Sequence, residues 1–205
     1  MVQVDLKVPP PLDRDLRLEP GDPQRLWDGE ALVAEARPTH MEFDSPPSVG
    51  IDAAEAASRN YIGFSGHVFP TCFVCGPQRE AGDGLRIFAG RPENATPDTP
   101  AAAVWTPSED LGDAEGKVDA DYVWAALDCP GYFGALANSE LAVLARMTAK
   151  LEGELQVGKP YVVQGFGKGG EGRKIFAGSA IYDAEGTRVA VSHQLWIRVD
   201  SFPGV

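Results

Sequence analysis

The stretch VDADYVWAALDCPG, residues 118–131, is a long apolar run with a helical period that also contains acidic side chains. Asp121, Trp124 and Asp128 are spaced so that they share one face of a helix. Pro130 lacks a backbone donor and crowds the preceding turn, so we expect the helix to kink or end within a residue or two of Asp128. Because strand patterns dominate the chain after this stretch, we expect a central helix wrapped by a sheet.

The segments after this helix have the period of half-buried strands. Residues 146–155 alternate, with Met147, Ala149, Leu151 and Leu155 on one face and charged or polar side chains on the other. Further strands are predicted over residues 161–166, 174–183 and 188–199. A glycine-rich connection at residues 167–172 and a turn at residues 183–186 separate them. Successive strands with short turns predict an antiparallel meander.

The chain before residue 118 is less regular. We expect a proline-rich extended arm at the start, a hairpin built around Asp28-Gly29, and a loop up to Gly50. Asp52 with Glu55 has the spacing of a capping box, which predicts a short helix to about Tyr61. Two more strands are predicted over residues 85–89 and 101–106. The expected organisation is an N-terminal extension at residues 1–61 (a hairpin plus a short helix) and a main domain at residues 62–205.

Composition excludes several classes of function. The chain has 205 residues and a net charge of −12, which disfavours a nucleic-acid or anionic-membrane surface. No apolar run approaches the length of about 18 residues that predicts a membrane span. The first residues do not have a signal-peptide pattern. Three cysteines do not suggest a disulfide framework, and we expect a cytoplasmic protein.

The acidic residues of the central stretch differ in their expected roles. Asp119 and Asp121 fall in the first helical turn, where the helix dipole favours a negative charge, and are expected to be capping acids. Asp128 lies toward the far end of an apolar helix, behind Trp124 and Ala125, in a setting that raises a carboxyl pKa. Such a carboxylate is either solvated at a surface edge or kept for chemistry. The residues alone leave both readings open.

The cysteines and histidines give a weaker signal. Cys72-x-x-Cys75 is half of a zinc site, and Cys129 and His67 are the only further ligands in view. We expect a tight structural turn here, with no metal and no cofactor, and a redox role is less favoured because no βαβ context surrounds the pair. His193 is expected to be a core histidine bonded to backbone, whereas His67 is the better candidate for a site.

Other motifs are absent or ambiguous. The sequence has no nucleophile elbow, phosphate-binding loop or dinucleotide fingerprint, which removes support for hydrolase triads and nucleotide folds. Arg173 and Lys174 follow a glycine-rich run at a strand entrance, where they could hold a phosphate. A plain β-turn with solvated charges is an equally good interpretation.

Three local patterns, in order and spacing, resemble the hotdog-fold acyl-CoA thioesterase superfamily in its phenylacetate-pathway-like branch. The first is Cys72-Phe-Val-Cys-Gly76 followed by Gly84-Leu-Arg-Ile87. The second is Ala125-Ala-Leu-Asp128, which is similar to the end of the family's central helix with its catalytic acid. The third is the closing hairpin from Gly172 to Val199. The resemblance covers about residues 62–200.

The resemblance implies an α+β hotdog fold, in which an antiparallel sheet wraps a central helix and two such units pair as a homodimer or a dimer of dimers. It implies hydrolysis of a small or medium acyl-CoA thioester, with Asp128 as general base or nucleophile. Backbone N–H groups at Ala120 or its neighbour Asp121 would hold the oxyanion. The ligand-binding candidates that accompany this reading are Trp124, Arg173, Lys174 and His67. Asp119–Asp121 stand where the family has His-Gly-Gly, which keeps open a non-catalytic hotdog protein that binds an acyl-CoA or similar ligand.

Overall fold

The computed structural model describes residues 1–136 and 141–201, which form nine strands, three α-helices and two short 3-10 turns. The strands are β1 (Val2–Leu6), β2 (Arg17–Glu19), β3 (Gln24–Asp28), β4 (Ala31–Pro38), β5 (Ala101–Trp105), β6 (Ala142–Leu151), β7 (Tyr161–Glu171), β8 (Lys174–Tyr182) and β9 (Arg188–Arg198). The helices are α1 (Ile51–Ser58), α2 (Ala120–Ala126) and α3 (Cys129–Ala135), and the 3-10 turns are Ile62–Phe64 and Glu109–Leu111.

All the strands join one antiparallel sheet in the order β2-β3-β4-β1-β6-β9-β8-β7-β5. The predicted meander is confirmed for β7, β8 and β9, each paired with the next, whereas β6 pairs with β9 and not with β7. The N-terminal strands extend the same sheet, because β1 pairs with β6 on one side and with β4 on the other. The edges of the sheet are therefore β2 and β5.

The two faces of the sheet are covered by different parts of the chain. Helices α2 and α3 lie on the concave side, where Val123, Ala126, Leu127 and Phe133 are buried in the main core. On the opposite face, Ala54 and Ala57 of α1 pack against β5, β7 and β8 side chains. Residues 43–50 cross that face as a strap, which we name the outer strap. The sheet is thus buried on both sides over much of its area.

Buried polar side chains of the sheet hold the outer strap. Gln164 of β7 is fully buried, and its amide donates to the Pro47 carbonyl at 3.2 Å and accepts from the Val49 N–H at 2.6 Å. Tyr182 of β8 donates its hydroxyl hydrogen to Ser45 Oγ at 2.9 Å. These bonds satisfy strap backbone groups that burial would otherwise leave without water.

The central helix breaks where the sequence predicts. Helix α2 ends at Ala126, and α3 begins at Cys129 with Pro130 in its first turn, where a missing backbone donor costs nothing. Asp128 is the residue before α3, with φ −72° and ψ −83°, outside the helical range. The predicted kink within two residues of Asp128 is confirmed, in the form of a complete interruption.

Four local predictions are wrong. Residues 85–89 form no strand, because Leu85 and Ile87 donate their N–H groups to Phe73 and Val74 in the cysteine loop instead of to a strand neighbour. Asp52 does not cap α1: the residue before the helix is Gly50, with φ 81°, and no side chain caps it. The glycine-rich residues up to 171 belong to β7 and are not a separate connection. The first arm, expected to be merely extended, contains β1, paired on both sides.

Both faces of the last strand, β9, are covered by other parts of the chain. Ser192, Gln194 and Trp196 form the side of β9 that meets α3, whereas the set containing His193 faces outward. The outer strap buries that second face, so alternation alone did not identify the inner one. No helix in the described part of the chain is long and apolar enough to cross a membrane.

Candidate functional site

Asp128 lies at the interruption between α2 and α3. The residue as a whole is half-buried, but its Oδ1 atom is fully buried and has no hydrogen-bond partner among the described residues. Burial, together with the nearby Cys72 sulfur, raises the pKa of Asp128 to about 7. A buried carboxylate oxygen without a partner is costly, which is the pattern of a group kept for chemistry or for a ligand.

Gln194 supports the helix interruption from the sheet. Its side-chain nitrogen donates to the Leu127 carbonyl and, at 3.1 Å, to the Asp128 carbonyl, and its oxygen accepts from Trp196 Nε1 at 2.8 Å. A helix break leaves carbonyls without intrahelical partners, and this buried amide supplies the missing donor. Sequence reasoning missed Gln194, although a glutamine on the inner side of an otherwise apolar strand is a detectable signal.

Glycines bring α3 into backbone contact with the sheet. A Cβ on Gly134 would lie 2.0 Å from the Gly165 carbonyl carbon, and one on Gly165 would lie 1.6 Å from the Pro130 oxygen. A Cβ on Gly131 would lie 1.9 Å from Gln194 Oε1. Sequence reasoning also missed these positions, for which the Gly-x-x-Gly spacing within α3 was the available signal. The close approach fixes the position of the residue before α3, Asp128.

The three cysteines converge beside Asp128. Their sulfur atoms all lie within 4.8 Å of one another, and the Cys72 and Cys129 sulfurs are 3.7 Å apart. Hydrogen bonds from Cys129 and Cys75, together with the Val74 and Cys75 N–H groups, lower the pKa of the Cys72 thiol far below its usual range. Hydrogen bonding to Cys72 raises the pKa of Cys129. One negative charge is thus favoured on the cluster, at Cys72.

His67 completes the group. Its Nε2 lies 3.3 Å from Cys75 Sγ, and its Nδ1 accepts the Phe69 N–H at 2.9 Å. Burial lowers the pKa of His67, against the opposing effect of the Cys72 charge, so the ring is neutral at neutral pH. Both groups named from the sequence as the only further metal ligands, His67 and Cys129, are therefore at the Cys72–Cys75 pair.

An apolar cavity of about 430 Å³ opens next to this cluster. Its walls are the loop from Ile62 to Cys75, α3 with Tyr132 and Phe133, and the β6–β9 border at Ala142 and Trp196. His67 and all three cysteines line it, but Asp128 does not. The volume falls within the range of small-molecule sites, with few polar groups in an apolar wall.

The other predicted site residues lie elsewhere. Ala120 and Asp121 are at the N-terminus of α2, at the opposite end of that helix from Asp128, and Trp124 packs against the main core. Arg173 donates from Nε to the Arg198 carbonyl at 3.0 Å in the β7–β8 hairpin, next to the exposed Lys174. Of the predicted residues, the structure brings only His67 and Asp128 to the region of the cavity.

His193 Nε2 lies 3.3 Å from the Asp44 carbonyl oxygen, which confirms its expected backbone bond.

No protein-family model and no curated protein matches the chain. Among solved structures, similarity is found to smu.793 from Streptococcus mutans bound to acetyl CoA, with 10% identity, a TM-score of 0.45, and coverage of 49% of this chain and 81% of the other. The PaaI protein of the E. coli phenylacetic acid degradation operon has 12% identity and a TM-score of 0.46 over 50% of this chain and 74% of its own. The uncharacterized protein PH1136 from Pyrococcus horikoshii has 18% identity and a TM-score of 0.48, over 60% and 93%.

The part from β5 to β9 consists of one strand, a helical segment and four further strands, and these five strands lie in the order β5-β7-β8-β9-β6. The chain has the hotdog fold. This confirms the α+β architecture predicted from the central stretch, with the helical segment divided into α2 and α3.

Proposed function

We propose that this hotdog protein binds a small or medium acyl-CoA thioester at the cavity beside α3 and hydrolyses it, with Asp128 as general base or nucleophile. The observation that carries the proposal is the buried, unpartnered Oδ1 of Asp128 at the helix interruption. The next residue, Cys129, lines the cavity, so a substrate carbonyl at that wall would be close to the carboxylate. The apolar walls suit an acyl chain.

In the reaction we propose, the Asp128 carboxylate takes a proton from the attacking water as that water adds to the thioester carbonyl. The proton then goes to the departing thiol, and the products are a carboxylic acid and the free thiol. If Asp128 attacks directly, the thioester C–S bond breaks, the thiol leaves, and an acyl anhydride with Asp128 forms, which water then cleaves. Both routes leave Asp128 regenerated.

The oxyanion needs backbone donors, and in one protomer the N-terminus of α2 is about 12 Å from Asp128 along the helical segment. The proposal therefore includes a homodimer in which Ala120 or Asp121 of one copy faces Asp128 of the other. Phosphate groups of CoA would be held by Arg173 and Lys174, which are placed at an exposed hairpin.

The test is thiol release from a panel of acyl-CoAs by the wild type and by Asp128→Asn. We expect the substitution to lower kcat/KM by at least about 100-fold, because it removes the base or nucleophile while keeping the shape of the side chain. Asp110→Asn, at an exposed acidic residue of the Glu109–Leu111 turn, is the matched control and should leave turnover unchanged. Turnover that persists unchanged in Asp128→Asn would exclude Asp128 as the catalytic residue.

A second candidate function is non-catalytic binding of an acyl-CoA or a similar ligand. It is favoured by one observation, namely that Asp128 is not among the cavity-lining residues. Calorimetric titration of the same acyl-CoA panel distinguishes the two. Tight binding by the wild type without thiol release would support the binding protein over the hydrolase.

A further inference from the structure

Two distances in the cysteine cluster are close to those of a tetrahedral metal site. Zinc–sulfur bonds of about 2.3 Å at tetrahedral angles place neighbouring sulfurs about 3.8 Å apart, and sulfur and nitrogen ligands about 3.5 Å apart. The Cys72 and Cys129 sulfurs are 3.7 Å apart, and His67 Nε2 is 3.3 Å from Cys75 Sγ. The three sulfurs lie within 4.8 Å of one another.

We propose that Cys72, Cys75, Cys129 and His67 bind one divalent zinc-class cation, in a Cys3His site at the wall of the apolar cavity. The ligand set combines a short Cys-x-x-Cys pair with one residue from a preceding loop and one from α3. Its members are soft thiolates and an imidazole, which select zinc-class metals over magnesium or calcium. The inference stands whether or not the protein hydrolyses thioesters.

Backbone hydrogen bonds hold the loop that contains Cys72 and Cys75 in place. Gly76 donates its N–H to the Cys72 carbonyl at 2.9 Å, and a Cβ there would lie 2.5 Å from Cys72 N, so the turn requires glycine. Leu85 and Ile87 fasten the loop through N–H bonds of 2.8 Å to the Phe73 and Val74 carbonyls. These bonds hold the loop that carries Cys72 and Cys75 in one conformation.

The histidine must change one bond to serve as a ligand. Its Nδ1 accepts the Phe69 N–H at 2.9 Å, whereas coordination through Nε2 places the ring proton on Nδ1. Metal binding therefore breaks this hydrogen bond, which is a small loss beside the formation of a metal–nitrogen bond. Each ligand that is still a protonated thiol releases its proton to solvent on binding, and no electrons are transferred.

A disulfide is the main chemical alternative for these cysteines. Joining two of them would leave the third thiol unused and would give no role to His67 Nε2 at Cys75. The metal site uses all four groups. It would also join the loop from residue 67 to residue 76 to the first turn of α3, next to Asp128, and so stabilise that wall of the cavity.

The first measurement is the metal content of the full chain, purified under reducing conditions without chelators, by mass spectrometry of the dissolved metal. About one equivalent of zinc per chain is expected. Zinc-edge X-ray absorption should show three sulfur ligands and one nitrogen ligand, and Co²⁺ added to the reduced metal-free protein should give thiolate charge-transfer and tetrahedral d–d bands. These readouts use the wild-type chain and do not depend on the folding of any variant.

Variants identify the ligands. Each of Cys72→Ser, Cys75→Ser and Cys129→Ser is expected to weaken Co²⁺ binding by at least about 100-fold, and His67→Gln by at least about 10-fold. His40→Gln, at an exposed histidine outside the cluster, is the matched control and should bind like the wild type. A chain without stoichiometric metal that also takes up no Co²⁺ when reduced would overturn the proposal. So would oxygen- and nitrogen-only coordination, or a disulfide among these cysteines in protein prepared under reducing conditions.

Discussion

At the scale of single residues, Asp5 shows how a buried charge can link strands. It is 3% exposed on β1, between β4 and β6. Its carboxylate accepts from Arg146 of β6, from Gln3 at 2.9 Å and from Arg37 of β4 at 2.8 Å. Burial alone would raise the pKa of Asp5, but the hydrogen bonds from Arg146, Gln3 and Arg37 outweigh it and hold the pKa below its usual range.

The direction of this pKa shift predicts how stability depends on pH. A carboxylate with a lowered folded-state pKa contributes stability above its unfolded pKa of about 3.9, and the contribution is lost as pH falls through the lower folded-state value. At neutral pH, Asp5→Asn should reduce the free energy of unfolding by about 2 kcal/mol, because the hydrogen bonds lose their charged partner.

Chemical denaturation of the wild type and Asp5→Asn across a pH series measures this effect. The difference between the two proteins should shrink as pH falls below about 4. Asp15→Asn, at an exposed N-terminal acid, serves as the control and should change stability by less than about 0.5 kcal/mol. A pH-independent difference for Asp5→Asn would mean that packing, and not charge, accounts for the loss.

At the scale of elements, the interruption between α2 and α3 is supported by several residues. Pro130 ends helical continuity, Gln194 supplies donors to the freed carbonyls, and the glycines of α3 allow backbone contact with β7. Together they place the Asp128 carboxylate in a buried position that a continuous helix would not provide. The helical period of the sequence does not predict the contacts that bury this carboxylate.

Helix propensity and packing make opposite predictions for Gly134→Ala. Propensity alone favours alanine over glycine in a helix by about 1 kcal/mol. Contact with the β7 backbone reverses the sign, because the new Cβ would lie 2.0 Å from the Gly165 carbonyl carbon. We expect the free energy of unfolding to fall by about 2 kcal/mol or more.

Thermal and denaturant unfolding of Gly134→Ala provide the measurement. The control is Gly66→Ala, since a Cβ at Gly66 would meet nothing within 4 Å, and its effect should stay within about 0.5 kcal/mol. Increased stability of Gly134→Ala would show that α3 can move away from the sheet without cost.

At the scale of the whole molecule, the N-terminal strands change which surfaces are free. Strand β1 occupies the edge of β6, so β2 and β5 are the edges of the sheet. The outer strap and α1 cover the face opposite α2 and α3. A dimer formed by joining sheets must therefore use β2 or β5.

Removing residues 1–7 should expose the edge of β6, whose backbone groups pair with β1 in the complete chain. Unpaired strand edges are templates for association, so the deletion variant should form larger, concentration-dependent species than the full-length chain. Size-exclusion chromatography with light scattering compares the two directly. An unchanged mass distribution, with folding verified by circular dichroism, would contradict this prediction.

The sequence alone predicted the meander and the interruption near Asp128, because alternation, helical period and proline act locally along the chain. The hotdog fold was predicted from the resemblance to a known superfamily. The sequence also identified Cys129 and His67 as the only further ligands for the Cys72–Cys75 pair. The convergence of the three cysteines, with His67 at Cys75, is visible only in the three-dimensional structure, because it results from packing of the loop against α3. The same holds for the burial of Asp128, which depends on contacts between α3 and β7 that no local pattern encodes.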